Sequence, residues 1–184
     1  MPRYIKYKKP IYLTNTDDHQ DYYIGTKKPD LVYGFRGNDT LFGKAGNDII
    51  KGGLGNDLIY GGKANDRLLG EWGDDFIFGG IGDDVMTGGL GFDTFGFESH
   101  AGIDKISDFA TGFDLISFLA EEVMDFASAV IDKIRLSTNQ LHAVIEWSWE
   151  DQHNRIVLSN VTVDFAQSDF ENFTFSDAAL AWFG

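Results

Sequence analysis

The chain of 184 residues contains no cysteine, three prolines and four histidines. The lack of cysteine excludes disulfides and thiolate metal sites. No apolar run approaches the ~20 residues that a membrane-spanning helix needs. Basic residues are also scarce, since 15 Lys and Arg stand against 29 Asp and Glu, and the formal net charge is −14. This balance argues against nucleic acid or an anionic membrane surface as a partner and favours a cation.

Glycine, by contrast, is abundant and occurs in register. The 22 glycines are concentrated in a repeat of nine residues that begins at Gly25 and becomes regular at Gly34. Position six is Asp and position eight is apolar in all eight units, which makes the repeat the most specific signal in the chain. The units are GTKKPDLVY, GFRGNDTLF, GKAGNDIIK, GGLGNDLIY, GGKANDRLL, GEWGDDFIF, GGIGDDVMT and GGLGFDTFG.

Each unit has a turn half and a strand half. Positions one to six are Gly-rich, which permits tight turns with positive φ. Positions seven to nine are β-prone, and the middle side chain points to one face. Stacked units can bury that side chain if consecutive strands line opposite walls of a flattened coil of two units, or 18 residues. The sequence therefore predicts an all-β fold, a right-handed parallel β-roll followed by a β-rich capping region.

This geometry predicts a metal site at the edges of the roll. Asp39 and Asp57 lie one coil apart on the same edge, and neighbouring coils are separated by the strand spacing of roughly 4.8 Å. A Ca²⁺ ion between two oxygen ligands spans about twice 2.3–2.6 Å, so the lengths agree. Carbonyls of the Gly-rich turns can supply further oxygen ligands. The alternative is that these aspartates merely favour turns.

The aspartates of one edge also form a ladder of like charges. At ~5 Å and an effective dielectric constant near 20, each adjacent pair of carboxylates costs roughly 3 kcal/mol without an ion. We therefore expect several Ca²⁺ ions, up to about six in the roll, and folding that is coupled to their binding. The adjacent pairs are Asp30/Asp48, Asp48/Asp66, Asp66/Asp84, Asp39/Asp57, Asp57/Asp75 and Asp75/Asp93.

At these residues the chain resembles the RTX, or haemolysin-type, calcium-binding repeat family, whose fold is a parallel β-roll with Ca²⁺ in its turns. Beyond the repeats, GIDKISDF and GFDLI within 102–116 are similar to the segment that follows the roll in serralysin-type C-terminal domains. Residues 155–161 and 169–175 are similar to the closing strands of those domains. The resemblance implies that the metal ligands are Asp39, Asp48, Asp57, Asp66, Asp75, Asp84 and Asp93, with the carbonyls of Gly37, Gly46, Gly55, Gly73 and Gly82.

Several units depart from this pattern. Lys44 and Glu71 replace glycine at position two, and Ala64 replaces it at position four, where it weakens its site without removing it. Lys28 and Pro29 disrupt the first unit, so Asp30 is the least regular ligand. Asp104 and Asp114 either bind one more ion near the capping turn or are surface acids.

The expected organisation is one compact domain with three parts. Residues 1–24 form an N-terminal cap or tail, 25–96 the calcium-binding roll, and 97–184 the C-terminal capping region with a secretion signal. In the last part, 117–135 is expected to be a loop with one helix, since the apolar residues from Val123 to Ile134 approximate a helical stripe, and two strands are expected to form a hairpin. We expect the segment 117–176 to pack on an apolar ladder outside the roll; an exposed ligand surface is the alternative. The ladder consists of Phe42, Leu58, Tyr60, Phe76 and Phe78.

The expected function is calcium binding outside the cell. The N-terminus is basic but lacks the apolar stretch of a cleaved signal peptide. The resembled family is exported by the type I secretion machinery through an uncleaved C-terminal signal, which implies a secreted bacterial protein that folds when it meets extracellular Ca²⁺. Two alternatives stay open. One is a calcium-dependent polysaccharide-binding or adhesive module, and the other is the export-and-folding domain of a larger enzyme or toxin.

Catalysis finds little support in the sequence, and the chain is expected not to be an enzyme. None of the four histidines has the HExxH spacing of a zinc protease. His142 and Glu146 share one strand face, which packing or solvation explains more simply.

Trp72, Trp147 and Trp149 are compatible with a carbohydrate platform, although core packing is the commoner role of such side chains.

Overall fold

The computed structural model describes residues 11–12, 20–98, 101–110, 113–119, 134–136, 142–149, 152–159 and 173–176. Within these ranges the regular structure consists of β-strands alone, and none of them contains a helix of the length and apolarity needed to cross a bilayer. The strands are β1 (Ile11–Tyr12), β2 (Tyr22–Ile24), β3 (Leu31–Arg36), β4 (Thr40–Ala45), β5 (Ile49–Leu54), β6 (Leu58–Lys63), β7 (Arg67–Trp72), β8 (Phe76–Ile81), β9 (Val85–Leu90), β10 (Thr94–Phe97), β11 (Ile103–Ile106), β12 (Leu115–Leu119), β13 (Ile134–Leu136), β14 (His142–Trp149), β15 (Gln152–Ser159) and β16 (Phe173–Ser176).

The strands form two sheets that alternate along the chain. The first sheet has the order β1-β3-β5-β7-β9-β11-β15-β14-β13, and the second has the order β16-β12-β10-β8-β6-β4-β2. Within the repeats every pairing is parallel with a shift of two units, as in Val32↔Ile50 and Leu41↔Ile59. This is the predicted parallel β-roll, in which one coil contains two units and consecutive strands lie on opposite walls.

The strands of the repeats are longer than the sequence suggested. Each central strand has six residues and continues through positions one to three of the following unit, as in Thr40–Ala45. The pairing therefore includes Phe35↔Gly53 and Arg36↔Leu54 as well as Val32↔Ile50. The turn between strands is confined to positions four to six, because the left-handed residue at position two bends the strand without ending its pairing.

The core is a single row of side chains enclosed between the two sheets. All eight apolar residues at position eight have no exposed surface, and the row continues into the C-terminal part of the roll with Ile106, Ile116, Ile156 and Leu158. Since the repeat places one such residue in each strand, every coil buries two. The eighth-position residues are Val32, Leu41, Ile50, Ile59, Leu68, Ile77, Met86 and Phe95.

Strands outside the repeats extend both ends of the roll. At the N-terminal end, β1 and β2 pair in parallel with β3 and β4, so described residues of the segment 1–24 already belong to the sheets. At the other end, β11 pairs with β15 and β12 with β16, also in parallel. The predicted hairpin is present as β14 and β15, which pair antiparallel near the end of the first sheet.

The outer face of the second sheet carries the apolar ladder on which the segment 117–176 is expected to pack. β12 and β16 extend the edge of the second sheet, and Phe76 on its outer face is 51% exposed. The aromatic ladder itself is present, with ring centroids of Phe42 and Tyr60 6.2 Å apart and those of Tyr60 and Phe78 6.3 Å apart. The segment 117–135 was expected to be a loop with one helix, but residues 117–119 and 134–135 belong to the strands β12 and β13. Residues 120–133, 160–172 and 177–184 lie outside the described residues.

The buried row makes a first testable prediction. Ile59→Ala removes a fully buried side chain, so we expect it to lower the free energy of unfolding by about 2–5 kcal/mol in calcium-containing buffer. Ile81→Ala is the matched control, because Ile81 is 44% exposed and its loss should change stability by about 0.5 kcal/mol or less. Urea unfolding followed by circular dichroism measures both. Equal losses for the two variants would contradict this position of the core.

Candidate metal centre

Two ladders of buried aspartates run along the edges of the roll. Each position-six Asp directly precedes a strand, as Asp39 precedes β4, and its carbonyl accepts a hydrogen bond from the strand one coil further on. All eight are at most 3% exposed, and so are Asp104 and Asp114. The ladders are Asp30, Asp48, Asp66, Asp84 and Asp104 on one edge, and Asp39, Asp57, Asp75, Asp93 and Asp114 on the other.

One oxygen of each carboxylate ties its coil to the preceding one. The backbone N–H of Asp48 donates to Oδ1 of Asp66 at 2.7 Å, and the N–H of Asp57 donates to Oδ1 of Asp75 at 2.8 Å. The same bond recurs at intervals of 18 residues in the repeats, and then at 20 for Asp104 and 21 for Asp114. The ladders therefore continue past the last repeat although the spacing in the sequence changes.

The other carboxylate oxygen has no hydrogen-bond partner. Among the described residues, Oδ2 is buried and unpartnered in eight of these aspartates. Burying an unpaired carboxylate oxygen costs several kcal/mol, so a row of such atoms indicates a missing partner of positive charge. The eight are Asp39, Asp48, Asp57, Asp66, Asp75, Asp84, Asp93 and Asp104.

A main-chain carbonyl faces the same space as this free oxygen. A Cβ atom on Gly61, at position one, would come too close both to Oδ2 of Asp66 and to the carbonyl oxygen of Gly79, one coil further on. Gly43 is placed in the same way between Asp48 and Gly61. Glycine at position one thus keeps open a space lined by carboxylate and carbonyl oxygens. These are the hard oxygen ligands that Ca²⁺ prefers, so the residues fit the predicted ion.

Position-one carbonyls were not among the predicted ligands. The position-four glycines occupy the turns with positive φ, and the carbonyl of Gly37 is directed at the backbone of Gly55, one coil further on. Their role as ligands stays a prediction, as it does for Gly46, Gly73 and Gly82. The described residues contain no cluster of three or more His, Asp or Glu side chains suited to a metal. Any ion in the ladders would therefore depend on main-chain oxygens as well.

The aspartates at the ends of the ladders differ from those within. In Asp30 it is Oδ1 that lacks a partner, because Oδ2 accepts a hydrogen bond from the N–H of Thr26 at 2.7 Å. Asp104 has the same free Oδ2 as the repeat aspartates, although it lies beyond them. In Asp114 both oxygens accept hydrogen bonds, from the N–H groups of Asp93 and Ala110. Asp104 therefore fits a ligand better than Asp114 does.

Burial makes the ladder carboxyls weak acids. Desolvation raises the pKa of Asp66 and of Asp75 to about 8, and the neighbouring carboxylates of the ladder add to the shift. The pKa of Asp48 is raised to about 7 and that of Asp104 to about 9, again mainly by burial. The hydrogen bonds from the preceding coil act in the opposite direction but are outweighed. Near neutral pH, Asp66 and Asp75 would therefore be protonated in the folded chain unless a cation is bound beside them.

The side chains at position five form a further set of hydrogen bonds between coils, an exposed ladder that was not predicted from the sequence. Oδ1 of Asn38 accepts a hydrogen bond from the N–H of Asn56 at 2.9 Å, and Oδ1 of Asn56 accepts one from Asp74 at 3.0 Å. These side chains are exposed, and each bonds to the coil that follows, whereas the position-six carboxylates bond to the coil that precedes. The signal was Asn or Asp at position five in six of the seven regular units.

The departures from the repeat carry unusual backbone angles. Phe35, Lys44 and Glu71 at position two, and Ala64 at position four, all have φ between 77° and 82°. For residues with a Cβ this left-handed conformation costs roughly 1–2 kcal/mol. Ala64 therefore keeps the positive φ of the position-four glycines, although its value of 78° is smaller than their 115° to 152°, at a cost in strain. The side chains of the four histidines, Trp147 and Trp149 lie outside the described residues.

Comparison with known proteins identifies the repeats. The sequence model of the RTX calcium-binding nonapeptide repeat matches residues 16–50, 42–77 and 65–95. The stretch 16–95 thus matches the model of a calcium-binding repeat, and the stacked aspartates of the roll fit calcium-binding turns. No curated protein matches the chain.

Two solved structures share local similarity with the chain. The extracellular lipase LipA from Serratia marcescens matches over 88% of this chain and 40% of its own, with 18% identity and a TM-score of 0.42. The AlgE6R3 subunit of the mannuronan C5-epimerase from Azotobacter vinelandii matches over 85% of this chain and 78% of its own, with 23% identity and a TM-score of 0.33. The chain thus spans well under half of the lipase, and scores this low carry no argument about activity.

The raised pKa values predict an unusual pH dependence in chelator. A carboxyl with a higher pKa in the folded state than in the unfolded state stabilises the fold while it is protonated, and this stability is lost as the pH rises through the folded pKa. Burial raises the pKa of Asp84 to about 6 and that of Asp66 to about 8. We therefore expect the free energy of unfolding in EDTA to fall between about pH 4 and pH 9.

Calcium should reverse this dependence, because only the ionised carboxylate is a ligand and protons compete for it. Urea midpoints measured in EDTA and in saturating Ca²⁺ at about pH 4, 6 and 8 test both trends. A midpoint in EDTA that rises from pH 4 to pH 8 would contradict the assignment.

A single amide substitution separates the two roles of a ladder carboxylate. In Asp66→Asn the remaining oxygen can still accept the N–H of Asp48, and the new amide can donate to the carbonyl that faces it. We expect the calcium-free protein to gain about 1–3 kcal/mol of stability, since a buried unpartnered charge is removed. The calcium stoichiometry measured by calorimetry should decrease. Asp74→Asn is the control, because Asp74 carries the same charge on the exposed ladder and should keep the stoichiometry.

Proposed function

We propose that this chain is a secreted bacterial calcium-binding protein whose folding is driven by Ca²⁺ outside the cell. The observation that carries the proposal is the set of nine buried carboxylate oxygens without a hydrogen-bond partner, which follow one another coil by coil along both edges of the roll. Their burial opposes folding of the metal-free chain, and a divalent cation bound there would supply the positive charge that offsets it. Up to about six ions in the roll follow from the stacking of adjacent aspartates.

The coupling of binding to folding follows from where the ligands lie. Asp48 and Asp66 are distant in an unfolded chain and are brought together only when their coils stack, so the unfolded chain offers no comparable site. A ligand that binds only the folded state adds about 2.7 kcal/mol per site at one hundred times its dissociation constant. Several sites in one roll would add up to a steep dependence of folding on calcium concentration.

Secretion is supported by the repeat family and by this linkage. RTX repeats are typical of secreted bacterial proteins. A calcium-poor cytosol would leave the carboxylates uncompensated and the chain loose enough for a type I exporter, and calcium outside would then close the roll. The ladders contain no general base paired with a nucleophile, and we propose a binding role for them and no catalytic one.

Titration of the chelator-treated protein with CaCl₂ tests the proposal. We expect a cooperative transition from coil to β-structure by far-UV circular dichroism, accompanied by heat from several ions per chain in calorimetry. MgCl₂ is the control, since the smaller ion demands near-octahedral geometry and loses its water reluctantly, so it should shift the transition little. A protein fully folded in EDTA that gives no heat with CaCl₂ would overturn the function proposed here.

A further inference from the structure

A groove on the outer face of the first sheet is not part of the calcium ladders. It has a volume of about 300 Å³ and crosses β3, β5 and β7. This volume is at the lower end of the range for small-molecule sites. Its walls and floor are formed mainly by Tyr33, Phe35, Lys51, Gly53, Glu71 and Trp72.

The groove arises from a break in the repeat. Phe35, Gly53 and Glu71 are paired across three neighbouring strands, each at position two of its unit. Gly53 has no side chain, so the middle strand forms a floor between two walls. A side chain on Gly53 could not fill the groove either, because its Cβ would collide with the backbone of Phe35.

The two residues that form the walls of the groove, Phe35 and Glu71, have strained backbone conformations. Phe35 has φ of 79° and Glu71 has φ of 82°, a region that costs residues other than glycine free energy. Gly53 and Gly89 occupy the same position of the first sheet without this cost. Lys44 has the same strain on the second sheet, but on the first sheet the two strained side chains lie on both sides of one groove, which indicates a role other than stability.

The groove combines aromatic surfaces with one pair of opposite charges. The rings of Tyr33 and Phe35 stack with centroids 6.1 Å apart at 28°, and the indole of Trp72 is 59% exposed on the opposite side. Nζ of Lys51 lies 3.5 Å from Oε1 of Glu71 and 5.7 Å from the ring centre of Tyr33. A ligand would thus find apolar planes beside a hydrogen-bond donor and an acceptor.

We propose that this groove binds a saccharide ring. A pyranose has C–H faces that pack on aromatic planes, and hydroxyl groups at its rim that both donate and accept hydrogen bonds. Its hydroxyls can satisfy the ammonium of Lys51 and the carboxylate of Glu71 at once. The site makes no use of the ladder carboxylates and requires only that the roll be folded.

A proline-rich peptide is the rival occupant of an aromatic groove. Such a segment presents carbonyl acceptors but few N–H donors, since proline has none. It could accept from Lys51 but would offer the carboxylate of Glu71 no donor beyond the Lys51 ammonium that already pairs with it, whereas sugar hydroxyls can bond to both groups. The charge pair therefore favours the saccharide.

The test uses the full chain, labelled with ¹⁵N, in saturating calcium. The probes are cellohexaose, laminarihexaose, chitohexaose and hexagalacturonate, with decaproline as the rival, and binding is measured by calorimetry and by the indole N–H signal of Trp72. We expect at least one saccharide to shift that signal. Trp72→Ala should weaken its binding roughly tenfold or more, because a stacking plane is lost. Leu90→Ala is the matched control, since Leu90 is 61% exposed beside Trp72 in the next coil, and should change affinity less than about twofold.

A second variant separates binding from folding. Phe35→Gly removes one wall and relieves the left-handed backbone, so it should lose affinity roughly tenfold while keeping its urea midpoint. Circular dichroism of the same samples reports calcium-driven folding independently of sugar binding. Folded protein whose Trp72 signal ignores all four saccharides, unchanged affinity in both variants, or preferential binding of decaproline would each overturn the saccharide site.

Discussion

The burial of carboxylates between neighbouring coils is the constraint on which the rest of this structure depends. Between the two ends of the ladders, each aspartate gives one oxygen to the backbone of the preceding coil and leaves the other without a partner, as Asp66 does. In a chain of net charge −14 this arrangement is costly at neutral pH unless a cation or a proton compensates it. The stability of the fold therefore depends on the protons and cations in the surrounding solution. The groups responsible for this dependence are the carboxylates at the edges of the roll.

The interior of the roll explains why its edges matter so much. Every coil buries only two position-eight side chains, such as Ile50 and Ile59, so the core is one row deep and cannot outweigh large unfavourable terms elsewhere. Each coil also contacts only its neighbours, as in other solenoids, so a loss at one ladder position is not shared over a large core. The buried carboxylates at the edges are therefore a large unfavourable contribution relative to the small core of each coil.

Regular and irregular positions of the repeat serve different purposes. The positions kept in every regular unit, Gly at one and Asp at six, create the oxygen-lined spaces of the ladders. The departures at Phe35 and Glu71 instead modify the outer face of one sheet, where a side chain in place of glycine costs strain and creates a groove. The first set concerns how the protein folds, and the second concerns what the folded protein contacts.

A nine-residue unit that is half a coil places equivalent residues in equivalent positions, so the period, the two-sheet roll, the buried row and the edge aspartates follow from the amino-acid sequence alone. The tertiary structure decided the rest. It directed one oxygen of each Asp to the preceding coil, set the Gly79 carbonyl opposite Asp66, left Asp104 with a free oxygen and satisfied both oxygens of Asp114. The groove between Phe35 and Trp72 was likewise decided there. These features depend on which atoms of different coils face each other, and that is fixed only when the strands pair in register.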